Sequence, residues 1–254
     1  MKRKFFSIVI PTLNEEQYLP RLLTTLSQQL FTDFEVIVVD GYSVDKTVTV
    51  IHKYQKKVPY PLKLIMNKAQ NVGLQRNRGA EAAGGTYLIF FDADIRVEKT
   101  YLTQIFTLLK HHPLDFASTW FVIDTPNLLD QVSSLFANIV FYVYGLLGKP
   151  FMTGQNLTFK REVFKKLGGF DPTVVHAEDI ELVQRAKTHG FSGKIFYSPV
   201  HYFSPRRLER EGRFSVWWKY IRSNLYVIFR GPIRVPLFLY EMGGQAKKDN
   251  ESIK

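Results

Sequence analysis

Apolar runs alternate with helix-like segments along the first hundred residues of the chain. Four runs are apolar almost throughout, which is typical of β-strands that are buried on both faces. The segments between them place leucines at helical spacing or are rich in helix-favouring residues, and the second has Ser43 or Asp45 as its candidate N-cap. Strands that alternate with helices predict an α/β fold with a parallel sheet. The predicted strands cover 5–12, 34–41, 62–67 and 86–94, and the predicted helices cover 14–30, 43–57 and 71–84.

The second half of the chain is less regular and contains one long apolar helix. Its pattern predicts a helix at 99–112, a strand at 115–124, the long helix at 128–148 and a last strand at 193–199. The most apolar part of the long helix, 132–147, is shorter than the roughly 20 residues that cross a bilayer. We therefore prefer a helix of the core or of the substrate-binding half. An interfacial helix and a membrane span are the alternatives.

Three aspartates stand at the ends of predicted strands: Asp40, and the pair Asp92 and Asp94, which Ala93 separates. Residues i and i+2 of a strand face the same way, so this pair would present two carboxylates side by side. Like charges this close repel unless a cation neutralises them. Ligands of open α/β sheets bind at the carboxyl ends of the strands, so the sequence predicts a cation site at this edge. The structural alternative is two turn aspartates that cap the helix starting near Glu98.

The chain carries 34 Lys and Arg against 23 Asp and Glu, a formal net charge of +11, which favours an acidic partner. The excess is concentrated after residue 205, where basic and aromatic side chains are interleaved. Such a mixture suits a membrane interface, and it would also suit single-stranded nucleic acid. Because Pro232 and Pro236 interrupt this segment, we predict that it does not span a membrane. Its basic residues are Arg206, Arg207, Arg210, Arg213, Lys219, Arg222, Arg230 and Arg234.

The sequence has no cysteine, which excludes disulfides, thiolate zinc sites and cysteine nucleophiles. It starts with basic residues and a short apolar run that ends at Pro11. A signal peptide needs about 7–15 apolar residues and a small-residue cleavage site. We therefore expect a first β-strand here, and an intracellular protein.

Five motifs, in chain order, resemble signatures of the family 2 glycosyltransferases with the GT-A fold. They are SIVIPTLNEE, VVDGYSVDKT, NVGLQRNRGAEAAGGTYLIFFDADI, TGQNLTFKREVFKKLGGFD and AEDIELVQRAKTHG. The resemblance covers about residues 5–205 and implies a Rossmann-like, mostly parallel sheet flanked by helices. We predict a catalytic domain at 1–205, which consists of a nucleotide-binding half, 1–97, and an acceptor-binding half, 98–205. A basic-aromatic amphipathic extension at a membrane interface follows at 206–242, and a disordered tail at 243–254.

For a nucleotide-sugar donor, the resemblance implies a divalent cation, Mn²⁺ or Mg²⁺, on the diphosphate. Asp94 would bind it directly, Asp92 would bind it through water or touch the ribose, and His201 would be an additional ligand. These cations prefer oxygen ligands and often combine one or two carboxylates with substrate phosphates. For the histidine, the alternative is a purely structural role.

The resemblance also implies a set of contacts to the nucleotide. Asp40 would bind the nucleobase; its structural alternative is an Asx-turn or an N-cap. Glu15 could instead be a first-turn glutamate, and the two arginines near residue 206 could form a solvated basic face. The donor-site residues that the resemblance implies are Pro11, Thr12, Asn14 and Glu15 around the base and ribose, Asp40, Arg76, Asp92, Ala93 and Asp94, and Arg206 and Arg207 on the pyrophosphate.

The last motif, AEDIE, is implied to carry the catalytic step. An inverting transferase needs a general base that takes the proton of the acceptor hydroxyl. By resemblance Asp179 is this base, and Glu178 binds or orients the acceptor. The alternative is that both only stabilise the dipole at the start of a helix. Gly154, Gln155 and Asn156 would contact the donor sugar and the acceptor.

The resemblance therefore predicts transfer of a hexose, mannose or glucose, from a GDP- or UDP-sugar to a hydroxyl of a membrane-associated or polymeric glycan, with GDP-mannose preferred. We expect a peripheral protein on the cytoplasmic face of the membrane. The close alternative is transfer to polyprenyl phosphate, as in the dolichyl-phosphate mannosyltransferases, because an ionised acceptor needs no base. A nucleotidylyltransferase would need a glycine-rich basic loop where this chain has PTLNEE, and a nucleic-acid-binding protein would leave the D-A-D and E-D motifs without a role.

Overall fold

A computed structural model describes residues 3–68, 71–148, 152, 154–238 and 243, and it confirms the predicted α/β fold. The described strands are β1 (Phe6–Thr12), β2 (Phe34–Asp40), β3 (Leu62–Met66), β4 (Tyr87–Phe91), β5 (Ile95–Val97), β6 (Phe116–Ile123), β7 (Asn156–Lys160) and β8 (Gly193–Phe203). They form one sheet in the order β3-β2-β1-β4-β7-β6-β8-β5. The first four strands are parallel, whereas β7 and β5 are antiparallel to their neighbours.

Helices cover both faces of this sheet. The described helices are α1 (Leu19–Ser27), α2 (Thr47–Gln55), α3 (Val72–Glu81), α4 (Tyr101–His111), α5 (Leu128–Leu146), α6 (Arg161–Lys166), α7 (Glu178–Thr188), α8 (Arg206–Glu211) and α9 (Arg213–Arg230). Residues of α1, α2 and α4 join one apolar core, and residues of α3, α6 and α7 join the other. The sheet is therefore buried on both sides, as its apolar strands predict.

Alternation along β1 divides its residues between the two cores. Ile8 and Ile10 belong to the core under α1, and Val9 belongs to the core under α3. Gly79 lets α3 lie close to the sheet, since a Cβ at this position would lie 2.3 Å from Val9 Cγ1. The close contact fixes α3, and with it Arg76, against the carboxyl ends of the central strands.

The structure corrects the place of the two aspartates that follow β4. β4 ends at Phe91, and Asp92, Ala93 and Asp94 form a turn before β5 begins at Ile95. The chain has to change direction here, because β4 pairs with β1 in the middle of the sheet whereas β5 pairs with β8 at the edge. A turn, and not the alternation of a strand, therefore positions these carboxylates.

Two predicted helix starts also differ from the structure. The first helix begins at Leu19 and not at Asn14, which has a left-handed φ of 55° and cannot continue a helix. The N-cap of α2 is Lys46, although the Asp45 carboxylate accepts a hydrogen bond of 2.9 Å from the Thr47 N–H. In both places the side chains of the loop, and not the helical pattern, set the boundary.

The last strand is longer than predicted. β8 continues past the cis Ser198–Pro199 peptide bond to Phe203 and pairs with both β6 and β5. His201 is consequently a buried strand residue, where the sequence suggested a loop.

The long apolar helix is α5, and it is not a core helix. It packs against β6 with one face, and most of its large apolar side chains are exposed. Among the helices that the structure describes, none combines the length and the apolar character that crossing a bilayer requires. Of the tail that we expect to be disordered, 243–254, all but Gly243 lies outside the described residues.

Candidate active site

The loops that follow β1 and β2 are cross-linked through Asp40. Thr12 and Asp40 end the two strands in register. The buried Asp40 carboxylate accepts hydrogen bonds from the Ser43 N–H at 2.8 Å, the Ser43 hydroxyl at 2.6 Å and the Thr12 hydroxyl at 3.0 Å. An Asx-turn, one structural alternative, would need the N–H two residues on, whereas Asp40 accepts from the N–H three residues on. Binding of a nucleobase by Asp40 stays a prediction.

Asn14 and Glu15 extend this cross-link. The Asn14 N–H donates to Ser43 Oγ at 2.8 Å. The side-chain oxygen Oδ1 of Asn14 accepts a hydrogen bond from the Val44 N–H at 2.9 Å. The Glu15 N–H donates to Thr47 Oγ1 at 2.7 Å, and Pro11 is buried within β1. The structure thus brings the predicted base and ribose residues together on one braced pair of loops.

Arg206 lies between two acidic residues of the site. Its Nη atoms donate to both carboxylate oxygens of Glu15, at 2.6 and 2.8 Å, and its Nε lies 2.9 Å from Asp94 Oδ2. Burial raises the pKa of Glu15 to about 7, even though Arg206 lowers it. Burial also raises the pKa of Asp94, and the nearby Asp92 adds to this effect. The guanidinium is the counter-charge for a group of carboxylates that have little contact with water.

Arg76 connects the D-A-D turn with the start of α7. Its side chain is buried, and its Nη2 donates to Asp92 Oδ1 at 2.8 Å and to the Gly154 carbonyl oxygen at 2.9 Å. Its Nη1 donates to Glu178 Oε1 at 2.7 Å, and its guanidinium carbon lies 5.3 Å from the Phe170 ring centre. Both Nη atoms are thus committed to the protein. A contact between Arg76 and the nucleotide stays a prediction.

Asp179 is held at the start of α7 by backbone donors. The Gly154 N–H donates to its Oδ2, and the Ile180 N–H donates to its Oδ1 at 2.9 Å. Burial, followed by the neighbouring Glu178, raises the pKa of Asp179 to about 7, while Arg76 lowers it. A carboxyl whose pKa lies near the working pH is well suited to accept and release a proton.

The residue before this acidic pair has an uncommon backbone conformation. Ala177, the N-cap of α7, is left-handed with φ 59° and ψ 38°, which costs a non-glycine residue about 1–2 kcal/mol. The turn orients Glu178 and Asp179 into the site. Both also lie in the first turn of α7, where the helix dipole favours a negative charge.

Gly154 and Gln155 join the turn to α7 from the other side. The Asp92 N–H donates to the Gln155 carbonyl oxygen at 3.2 Å. A Cβ at Gly154 would lie 3.0 Å from Arg76 Nη1 and 3.1 Å from Asp179 Oδ2, so a side chain here would disturb both. The side-chain oxygen Oε1 of Gln155 is buried without a hydrogen-bond partner in the described part of the chain. A buried unpaired oxygen is costly, which makes Gln155 a candidate ligand contact.

Asn156 and His201 are buried neighbours on β7 and β8. Both side chains are fully buried, and Asn156 Nδ2 donates to Thr119 Oγ1 at 2.7 Å and lies 3.1 Å from His201 Nδ1. Asn156 therefore connects β6, β7 and β8. A contact between Asn156 and the acceptor stays a prediction. Burial lowers the pKa of His201 to about 3. Among the described residues, no three acidic or histidine side chains are grouped as a metal site. Metal binding by His201 stays a prediction.

The chemistry of the turn nevertheless fits a divalent cation that is shared with a substrate. Asp92 and Asp94 offer carboxylate oxygens from one turn, and Arg76 and Arg206 balance their charge. Mg²⁺ and Mn²⁺ commonly use one or two carboxylates and complete their coordination with substrate phosphates. These two aspartates would therefore be the protein's contribution to such a site.

Sequence reasoning missed residues that hold the site in place. Gln75 Nε2 donates to the carbonyl oxygens of Thr12 and Val39, both at 2.9 Å, and so ties the ends of β1 and β2 to α3. The motif GLQRNRG already contained Gln75, so its position next to Arg76 was the available signal. Nothing in the local sequence marks Tyr18, whose ring centre lies 4.4 Å from the guanidinium carbon of Arg206.

Unlike Arg206, which contacts Glu15 and Asp94, Arg207 forms an ion pair within its own helix. Its Nε donates to Glu211 Oε1 of the same helix at 3.2 Å. A contact between Arg207 and a pyrophosphate stays a prediction.

The model of the Glycosyl transferase family 2 matches residues 7–168, well over half of the chain. The amylovoran biosynthesis glycosyltransferase AmsB from Erwinia amylovora is 25% identical over 236 residues, which cover 86% of this chain and 77% of AmsB. The poly(ribitol-phosphate) β-N-acetylglucosaminyltransferase TarS from Staphylococcus aureus is 33% identical over 112 residues. That match covers 43% of this chain but only 20% of TarS, so the matched segment spans about a fifth of that protein.

Solved structures of two transferases share the fold. The mannosyltransferase PcManGT from Pyrobaculum calidifontis, in complex with GDP-Man and Mn²⁺, has a TM-score of 0.68 at 21% identity, with 87% of this chain and 65% of that chain covered. TarS 1–349 in complex with UDP-GlcNAc has a TM-score of 0.63 at 23% identity, with 79% and 58% covered. At these identities the likeness concerns the fold, and it confirms the predicted GT-A architecture.

Proposed function

Because the chain belongs to glycosyl transferase family 2, we propose that it is an inverting glycosyltransferase. It moves a hexose, mannose or glucose, from a GDP- or UDP-sugar to a hydroxyl of a membrane-associated or polymeric glycan. The names of its relatives support glycosyl transfer, and the two solved neighbours carry nucleotide sugars with different bases. Both bases are therefore kept in the proposal.

One observation carries the proposal: the D-A-D turn and the E-D pair form a single site. Arg76 binds Asp92 and Glu178 through its two Nη atoms, and Gly154 accepts from Arg76 while donating to Asp179. A donor whose diphosphate lies at the turn would therefore have its anomeric carbon near the carboxylate of Asp179. This proximity is what a single displacement requires.

The chemical step follows from this arrangement. The acceptor hydroxyl oxygen forms a bond to the anomeric carbon while the bond from that carbon to the diphosphate oxygen breaks. Asp179 takes the hydroxyl proton, and the nucleoside diphosphate leaves with the electron pair. Attack from the face opposite the leaving group inverts the configuration. The raised pKa of Asp179, about 7, supports its role because the carboxylate can then take up a proton near neutral pH.

A divalent cation, held by Asp92 and Asp94, would supply stabilisation of the charge that develops on the diphosphate. The protein's own arginines serve the same end. Arg206 lies beside Asp94, and a guanidinium can bind phosphate oxygens in pairs. Glu178 would orient the acceptor, since its position is fixed by Arg76.

The test is the substitution Asp179→Asn. We first identify the donor by thermal shift with GDP- and UDP-sugars in the presence of Mn²⁺, since a ligand of the native state raises its stability. We then follow release of the nucleoside diphosphate with an extract of glycolipid acceptors. The variant should bind the donor as the wild type does and lose about 10²–10⁴-fold in turnover.

The matched control is Glu162→Gln, which changes an exposed acid in the first turn of another helix and should leave turnover unchanged. Near-normal turnover of Asp179→Asn would overturn the assignment of the base. It would favour transfer to polyprenyl phosphate, whose ionised oxygen needs no base.

A further inference from the structure

The helix α5 buries polar side chains and exposes apolar ones, the reverse of a surface helix in a water-soluble protein. Its polar residues Asp130, Ser134 and Asn138 are buried. Asp130 accepts hydrogen bonds from Arg213 Nε at 2.7 Å and Nη2 at 2.9 Å, which neutralise its charge. The outward stripe of α5 consists of Leu128, Val132, Leu135, Ile139 and Val143, with exposed fractions between 45 and 71%. A helix normally shows solvent its polar face, so this orientation indicates that something apolar covers α5.

The helix α9 repeats the pattern with the same spacing. Its exposed apolar residues are Phe214, Trp218, Ile221, Leu225 and Phe229, with exposed fractions between 48 and 83%. In both helices the five positions follow i, i+4, i+7, i+11 and i+15, which places them on one face. Two helices that are far apart in the sequence therefore present equivalent stripes.

The two helices are neighbours and run in the same direction. Arg213 at the start of α9 binds Asp130 near the start of α5. Further along, Phe141 and Tyr144 of α5 belong to the same apolar cluster as Val227 of α9. We call the ten exposed residues of the two stripes the apolar surface. A surface of this kind is larger than the scattered apolar side chains that monomeric proteins usually expose.

Charge indicates what this surface meets. The only acidic residue of α5 and α9 is Asp130, which is buried and paired. Arg222 and Arg230 of α9 are exposed, whereas Arg234 just beyond it is paired with Asp171 at 3.0 Å. A two-fold contact between copies of this chain would place these basic residues against themselves. An anionic lipid surface offers the opposite charge and an apolar interior, and tryptophan is enriched at membrane–water interfaces.

We propose that the apolar surface of α5 and α9 docks on an anionic bilayer, with both helices lying in the interface and their basic residues among the headgroups. This function is independent of glycosyl transfer. It assigns α5, for which the sequence left an interfacial helix as one alternative, to the same membrane contact as the C-terminal segment.

Docking would also place the candidate base near the bilayer. Ile180, the residue after Asp179, packs with Val227 of α9 and with Ile233. A lipid-linked acceptor held at the surface would therefore reach the site over a short distance.

The experiment is sedimentation of the full chain with vesicles of phosphatidylcholine that contain phosphatidylglycerol, and with vesicles of phosphatidylcholine alone. The wild type should bind the anionic vesicles, and added salt should weaken the binding. Leu135→Gln on α5 and Leu225→Gln on α9 should each lower the partition coefficient by about tenfold, because each removes a buried leucine from the docked state. Leu30→Gln is the matched control, since Leu30 is also exposed but lies outside the surface.

Three results would overturn the proposal. The first is wild-type protein that stays in the supernatant with anionic vesicles. The second is a Leu135→Gln variant that binds vesicles as the wild type does, since this would exclude α5 from the contact. The third is a dimer in sedimentation equilibrium that Leu135→Gln dissociates, which would assign the surface to a second copy. Circular dichroism melting curves show whether each variant is folded, and exposed positions should change the free energy of unfolding by less than about 0.5 kcal/mol.

Discussion

Arg76 joins the D-A-D turn to the start of α7, because it binds both Asp92 and Glu178. Arg76→Gln would leave Asp92 and Glu178 without their shared counter-charge. We expect the free energy of unfolding to fall by about 3 kcal/mol, at the low end for a broken buried ion pair, because the Asp92 side chain is still 34% exposed. Urea denaturation measures this change.

Arg78 offers the matched control for Arg76. It lies on the same helix, but its side chain is 58% exposed and pairs only with Glu81 among the ion pairs described. Arg78→Gln should change the free energy of unfolding by less than about 0.5 kcal/mol. Equal small losses for both variants would show that Arg76 does not bridge the motifs.

The proposed role of Asp179 as the base predicts how the reaction depends on pH. Only the ionised carboxylate can take the proton, and its raised pKa is about 7. Below this pH, kcat/KM should fall about tenfold per pH unit, and above it the profile should be level. A profile that stays level well below pH 7 would rule out Asp179 as the base.

Glu15 has to be separated from Asp179 in this measurement, because burial raises its pKa to about 7 as well. In Glu15→Gln the acidic limb should persist, although the loss of the pair with Arg206 would weaken donor binding. If the limb disappears in this variant, Glu15 and not Asp179 is the group that titrates.

At the residue scale the sequence predicted the acids of the site but not their partners. The motifs named Asp92, Asp94 and Asp179, and the fold brings the D-A-D turn and the start of α7 together through Arg76 and Gly154; their roles stay predictions. Their arginines come from distant parts of the chain: Arg76 binds Glu178 across 102 residues, and Arg206 binds Glu15 across 191. Such pairs depend on the completed fold, so no local pattern could reveal them.

At the scale of elements, α5 is anchored to the sheet by one amide side chain. Asn138 Nδ2 donates to the Phe121 carbonyl oxygen at 2.7 Å, and Asn138 Oδ1 accepts from the Phe121 N–H at 3.2 Å. This residue of β6 lies where the pairing with β8 shifts its register, so its backbone groups need a partner.

Asn138→Ala would leave both backbone groups of Phe121 buried without this partner. The free energy of unfolding should fall by about 1–3 kcal/mol, as measured by urea denaturation. Leu135→Ala, which shortens an exposed side chain one turn away, should change it by less than about 0.5 kcal/mol. A neutral Asn138→Ala variant would mean that α5 is held by its apolar contacts alone.

The pattern along the chain predicted that α5 exists but not how it faces. Its apolar residues suggested burial, yet the fold buries Asp130 and Asn138 because Arg213 and Phe121 satisfy them. The helix boundaries were missed for a similar reason. Asn14 leaves the helical region because its side chain and N–H bind the loop after β2.

At the scale of the whole molecule, the two predicted halves share one sheet. β7, from the second half, pairs with β4 of the first half, and Phe91 lies opposite Asn156. Alternating strands and helices were enough to predict the parallel part of the sheet. The antiparallel part depends on pairings between distant segments, which leave no periodic signal in the sequence. The D-A-D turn lies where the chain passes from β4 to the far edge of the sheet.

If the D-A-D turn is the donor site, it binds a nucleoside diphosphate together with a divalent cation. Isothermal titration with UDP and with GDP, each with and without Mn²⁺, measures this binding. The variant is Asp94→Asn, and the control is Asp33→Asn, whose half-exposed carboxylate lies 3.7 Å from Lys4 Nζ. One of the two nucleotides should bind at least about tenfold tighter with Mn²⁺, because the diphosphate completes the coordination of the cation. Asp94→Asn should lose this advantage, and Asp33→Asn should keep it. Equal affinity with and without Mn²⁺, or binding of neither nucleotide, would show that the turn is not a cation-dependent diphosphate site.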